Sequence, residues 1–229
     1  MGPDRAAKAK VQVSLRRWAE DGRTVARQLW EEKRDDLRMW VMSKLMERAA
    51  WWLERVAAWF DEPTEVVALA TRNVFELNMI ARWTCERHEN AAEWLAETLK
   101  DSSDLVQDVM FIVERWGNKD ALARLDQLSG ELRNASGKWR TQHRIETARR
   151  PSGRRLARAV GLETEYVDLY RWSSKWLHPS AMVINMEQDA MYQEETKATC
   201  LTMILAMGAE VIDAGRELLE DSAALGDPC

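Results

Sequence analysis

The sequence predicts an all-α protein, a multi-helix bundle preceded by a long N-terminal helical region. Three observations carry that prediction. Apolar residues recur with a 3.6-residue period along nearly the whole chain, and alternation of period two, the mark of half-buried strands, is almost absent. Helix-forming residues fill the stretches between breaks. The breaks themselves coincide with most of the five prolines and ten glycines.

A first helical region is expected over roughly residues 5 to 60. From Arg27 to Phe60 it sets Trp30, Leu37, Trp40, Val41, Leu45, Trp52, Val56 and Trp59 near one stripe. The run Asp61-Glu62-Pro63-Thr64 ends it, and Thr64 has the chemistry of an N-cap for the next helix. That helix, about Thr64 to Arg87, is apolar around most of its circumference (Val66, Val67, Leu69, Val74, Phe75, Leu77, Ile80), which predicts a central place in the core. Within it Arg72 and Glu76 stand four residues apart and can pair. A third helical region covers about Asn90 to Trp116, with a possible break at Asp101-Ser-Ser, and Gly117-Asn118 closes it.

Residues 131 to 158 differ in character. Nine Lys and Arg side chains oppose only Glu131 and Glu146, a local charge of +7, and Gly130, Gly137, Pro151 and Gly153 point to a loop over part of the segment. A solvated, salt-bridging surface is the plain expectation. The sharper one is a phosphate-contacting strip in which Arg149, Arg150, Arg154 and Arg155 meet nucleic acid, because the planar guanidinium fork matches phosphate oxygens. After Gly161 a short helix is expected from Glu163 to His178, then a last long one from about Glu187 to Asp221. The division read from these elements is 1–62, a helical region packing on the core or on a partner, and 63–229, the bundle itself.

Bulk properties narrow the function. At 229 residues the chain suits one large or two small domains, and a net charge of -5 disfavours nucleic-acid binding over the whole surface while leaving room for a local patch. Cys85, Cys200 and Cys229 are scattered and without a Cys-x-x-Cys pair, so neither a disulfide framework nor a zinc cluster is indicated. The Met-Gly-Pro-Asp-Arg start lacks the apolar core of a leader, and the apolar stretch Ala198 to Ala209 falls short of the ~20 residues a membrane span needs. The expectation is a soluble, cytoplasmic protein without a membrane partner. Most of the twelve tryptophans, Trp51, Trp52, Trp59, Trp172 and Trp176 among them, are expected to fill gaps between helices.

The stretch from Arg171 to Ser180 holds the chemistry. Seven residues of helix bring Arg171 and His178 to within about 20° of each other, and Ser174 and Lys175 fall on the same flank. The opposite arc collects Tyr166, Leu169, Tyr170, Trp172, Trp176 and Leu177. Such a face can support metal-independent cleavage of RNA. A neutral histidine removes the 2′-hydroxyl proton or returns one to the departing 5′-oxygen, and Arg or Lys stabilises charge building on the phosphate. One histidine does not easily serve both ends, so a two-fold homodimer would suit the reaction. Asp168 is placed to pair with Arg171 or Lys175, and hydrogen bonding to the helix backbone is the expected role of Ser173 and Ser174.

Arg171-x6-His178 on a late helix resembles the Arg-x4–6-His motif of the HEPN superfamily. The run Gly161-x4-Tyr166-x3-Tyr170-Arg171-x2-Ser174-x3-His178-Pro179-Ser180, with Arg72-x3-Glu76 upstream, resembles an uncharacterised bacterial family. The resemblance covers roughly residues 64 to 210. It implies an all-helical, commonly dimeric protein, an RNA-cleaving toxin or antiviral effector, with His178 as acid or base and Arg171 as phosphate binder. It also implies that Glu76 or Arg72 orients those groups from the neighbouring helix. Trp172 and Pro179 depart from the commoner members of the superfamily and motivate the alternative, a non-catalytic sensor, scaffold or nucleic-acid-binding protein, with a neutralising or effector protein as partner. No cofactor is expected. None of the three histidines has Glu three residues before it, and no phosphate-binding glycine loop or nucleophile elbow is present.

Overall fold

The computed structural model describes residues 5–32, 36–58, 63–145, 152–177 and 190–224. Among them are eight helices and no strand. They are α1 (Arg5–Glu32), α2 (Leu37–Ala58), α3 (Thr64–Glu86), α4 (His88–Arg115), α5 (Lys119–Gln142), α6 (Gly153–Ala159), α7 (Glu163–Leu177) and α8 (Ala190–Ala224). The protein is an all-α multi-helix bundle. It divides into two compact units, one formed by Met1–Glu86 with Ser152–Cys229, the other by Arg87–Pro151.

In the first unit α1 and α2 form an antiparallel pair, and α8 packs along α1, α2 and α3. The stripe expected to run unbroken from Arg27 to Phe60 is instead shared between two helices. Asp36 caps the second, accepting from the Arg38 backbone N–H at 2.8 Å. Trp30, expected on that stripe, is exposed, with the Lys44 ammonium 4.8 Å above its ring. Trp52 is buried as expected, and Trp51 lies edge-on to it under the Arg48 guanidinium. Trp59 and Trp176 lie outside the residues whose side chains are described.

Helix α3 is the centre of this unit, burying Val67, Val74, Phe75, Met79, Ile80 and Trp83. Each large apolar side chain so buried contributes roughly 1.5–3 kcal/mol. Its N-terminus differs from expectation in one detail. The Val66 N–H donates to Pro63 O at 3.0 Å, which makes Pro63 the residue before the first turn. The Thr64 hydroxyl is buried with no hydrogen-bond partner among the described residues, so it does not cap. On the side facing α8, Asn78 and Arg82 both donate to Glu210, Arg82 at 2.9 Å.

Helix α8 has the length and apolarity of a membrane span over Glu194–Ser222. Cys200, Leu201, Ile204, Met207, Val211, Ile212 and Leu218 are buried in the bundle, so much of that apolarity is used in packing.

The second unit is the α4–α5 hairpin. α4 passes Asp101-Ser-Ser without a break, and ends where Gly117 takes φ +68. Asn118 then caps α5, accepting from the Ala121 N–H at 3.0 Å. The segment expected to be loop after Glu131 is helical to Gln142, because Gly130 and Gly137 lie within α5, and residues 153–159 form α6. Residues 146–151 lie outside the described chain. At the open end of the hairpin the Trp139 indole donates to Ala92 O at 3.3 Å and the His143 ring stacks on Trp139 at 4.0 Å. Burial, then the neighbouring His88, holds the His143 pKa below the ordinary histidine value.

Candidate functional site

Helix α7 packs on α3 and on α6 through its tyrosine arc. Tyr166 and Tyr170, one turn apart, place their rings 4.1 Å from each other, and Phe75 of α3 lies 6.5 Å from Tyr166. Gly153 at the start of α6 permits this approach, since a Cβ there would stand 2.8 Å from the Tyr166 hydroxyl. α6 is tied to α7 by Glu163, whose carboxylate accepts from Arg154 at 3.0 Å and from Arg158 at 2.7 Å. Those hydrogen bonds, Arg158's before Arg154's, hold the Glu163 pKa down to about 2.

The polar centre of the interface is Arg72, Glu76 and Tyr170. Arg72 Nε lies 3.4 Å from Glu76 Oε1, and the Tyr170 hydroxyl donates to that same oxygen. The Arg72 guanidinium also sits 4.2 Å from the centre of the Tyr170 ring. Burial and then the Glu76 carboxylate push the Tyr170 hydroxyl well above the ordinary tyrosine range. Arg72 is raised as well: burial opposes the shift, and Tyr170 and Glu76 outweigh it. The result is a carboxylate with two donors on one oxygen, partly screened from water, joining two helices 94 positions apart in the chain.

Several of the residues read from the sequence can be placed. Arg72 and Glu76 pair as their spacing predicted, and they meet the very helix that carries Arg171. Arg171 itself is exposed and makes no ion pair with Asp168, which is exposed too. Ser173 is buried and its hydroxyl donates to Tyr170 O at 3.4 Å, the backbone role expected of it. Ser174 and Lys175 lie on α7, but their side chains, and His178 altogether, lie outside the described residues. Of the basic strip, Arg155 is exposed, Arg154 is engaged by Glu163, and Arg149 and Arg150 lie outside the described chain. Tyr170 is the residue that sequence reasoning missed as a partner of Glu76. Its place on the buried arc was legible, but a helical wheel gives an arc and not the side chain that faces it.

Fold and site together define an all-helical protein with a half-buried Arg–Glu–Tyr cluster beside an exposed arginine. Residues 64–191, more than half of the chain, match a family of unknown function, DUF5677, and the chain belongs to that family. The matched segment begins where α3 begins and takes in every residue of the cluster. No curated protein and no solved structure matches the chain.

Proposed function

We propose that the protein is a metal-independent endoribonuclease of the HEPN type, working as a homodimer in the cytoplasm as a defence or toxin effector. The observation that carries this reading is the meeting of the two motifs: Glu76 and Arg72 hold the α7 helix through Tyr170, the residue immediately before Arg171. Arg171, exposed on that helix, is available to a phosphate. His178 takes the 2′-hydroxyl proton as the 2′-oxygen attacks phosphorus, and the bond to the 5′-oxygen breaks. The second protomer's histidine returns a proton to the leaving oxygen, which yields a 2′,3′-cyclic phosphate and a 5′-hydroxyl. Glu76, Arg72, Ser174 and Lys175 support the geometry and the charge.

The test is cleavage of total cellular RNA by the purified protein and by His178→Ala and Arg171→Ala, with a chelator present. Products ending in 2′,3′-cyclic phosphate, formed by the wild type and absent with both variants, are the expected outcome. An inactive wild type, with all three proteins equally folded, would overturn it. One observation favours a second reading, a non-catalytic sensor, scaffold or nucleic-acid-binding partner of an effector protein. Glu76 already accepts from both Arg72 and Tyr170, an arrangement that serves to join helices.

A further inference from the structure

Helix α5 carries Arg133, Gly137 and Arg140 at steps of four and three residues, so the three positions fall within about 60° of arc, and Arg144 follows just past the helix end. Two adjoining hollows open on that face. One, of about 290 Å³, lies between α4 and α5 and is lined by Lys100, Ser103, Arg133, Ser136 and Arg140, together with Asp104. The other, of about 480 Å³, is lined by Gly137, Arg140, Thr141, Arg144 and Ile145.

The guanidinium groups are fixed from behind. Arg133 Nε donates to Ser129 O and Arg140 Nε to Ile145 O, each at 3.3 Å. Among the described residues Arg133 makes no ion pair. The carboxylate in the hollow, Asp104, is neutralised by Lys100 at 3.1 Å.

Two residues on this stripe run against the interests of the helix. Gly137 lies within α5, where glycine weakens a helix, yet a Cβ there would meet nothing within 4 Å. Arg144 follows the last turn with φ +54, among the described residues the one non-glycine in the left-handed region. The Ile145 N–H donates to Arg140 O at 2.9 Å, closing the turn in which that position is ordinarily glycine. Among the described residues no packing contact explains either choice. A ligand that approaches the backbone at Gly137 and needs a cation at position 144 explains both.

We propose that this groove binds the sugar–phosphate backbone of single-stranded RNA, with Arg133, Arg140 and Arg144 contacting successive phosphates. This rests on RNA being the ligand of the protein, as in the reading above, and moves the contact from the Arg149–Arg155 strip onto α5. From Arg133 to Arg140 the row runs about 10 Å along the helix, and Arg144 extends it past the helix end, which suits a chain of phosphates better than a single one. Ser103, Ser136 and Gly137 keep the hollow open beside its cations, and Leu99 is the large apolar side chain among its lining residues.

The experiment measures binding of a fluorescent 20-nucleotide 2′-O-methyl RNA, which cannot be cut through its 2′-oxygen, at several salt concentrations. Wild type, Arg133→Gln and Arg144→Gly are compared, with thermal unfolding recorded for each. The expected result is weaker binding by both variants, with the slope of log affinity against log salt reduced by about 0.7 for each lost contact. Arg144→Gly should at the same time raise Tm by about 2–4 °C, so its loss of binding cannot come from unfolding. Absence of binding by the wild type, or variants that keep its affinity and salt slope, would overturn the proposal. Cleavage of ordinary RNA by the same preparations separates the two readings: variants with an unchanged salt slope beside an active wild type remove the groove and leave the nuclease standing.

Discussion

Tyr170 shows how a single hydroxyl couples two helices, and its ionisation makes the coupling measurable. A hydrogen bond to a charged acceptor contributes roughly 1.5–3 kcal/mol when well formed, and partial exposure places Tyr170 toward the lower end. Tyr170→Phe should therefore lower stability at pH 7 by about 1–2 kcal/mol. The pH dependence follows from the direction of the shift. The folded state holds the phenolic proton more tightly than the unfolded chain, whose tyrosine titrates near 10.0. The contribution is thus complete below that pH and is lost as the pH rises above it. Urea denaturation of both proteins from pH 7 to 11 should show a constant gap up to about pH 9.5 that narrows beyond it. A gap that stays constant to pH 11 would mean that the Glu76 contact is not made in solution. The Arg72–Glu76 pair was legible from the sequence because neighbours four apart on a helix must meet. The third member of the cluster depends on which element packs opposite, and spacing within one helix does not contain that.

At the level of elements, two heptad-spaced glycines set the distance between α2 and α8. Gly208 faces Leu53 and Gly215 faces Met46, with the steps running in opposite directions along two antiparallel helices. A Cβ on Gly208 would stand 2.8 Å from one Leu53 methyl and 3.2 Å from the other, and Leu53 is fully buried with little room to turn. Gly208→Ala should destabilise the fold, since overpacking costs about 1–3 kcal/mol against the ~1 kcal/mol that alanine gains over glycine in a helix. Gly130→Ala, where a Cβ meets nothing within 4 Å, should stabilise by up to about 1 kcal/mol. Opposite signs in denaturant titrations are the expected result, and equal signs would show that the close approach of α2 and α8 is not real. The same glycines explain where element boundaries were and were not readable. Pro63 and Gly117 mark true ends, the latter with a left-handed φ. Gly130 and Gly137 suggested a loop but stay helical, because α4 packs along α5 and offsets their weak propensity. The break between α1 and α2 carries no glycine or proline at all. The local signal there is the Asp36 cap on α2, which the continuing apolar stripe obscured.

Over the whole molecule the two compact units differ in how much apolar surface they bury, and local stability should follow that difference. In the first, Leu15, Leu29, Met39, Met42, Leu53, Met79 and Ile212 are essentially inaccessible, and their contacts join four long helices. The hairpin has a thinner interior: α4 buries Ala91, Ala92, Ala96, Ser103 and Val106, and α5 buries Ser129. Leu105, Val109, Ile112 and Trp116, a row at steps of four, three and four along α4, remain exposed, Trp116 by 79%. Small buried residues bring little hydrophobic free energy, and a pair of helices alone provides few contacts to resist opening. This asymmetry was not legible beforehand, because reading a helix over Asn90 to Trp116 does not reveal how little of α4 the next helix can cover. Hydrogen–deuterium exchange of the intact chain should therefore find its slowest amides in α2, α3 and the middle of α8. Exchange in the second half of α4 and throughout α5 should be faster by an order of magnitude or more, since each ~1.4 kcal/mol of local stability is a factor of ten in protection. If RNA occupies the α5 groove, adding the 2′-O-methyl oligonucleotide should slow exchange around Gly137 to Ile145 while leaving α2 unchanged, because a ligand stabilises the segment that it contacts. Protection appearing uniformly across both units would show instead that the hairpin opens only with the bundle, and that its exposed apolar row is covered in solution.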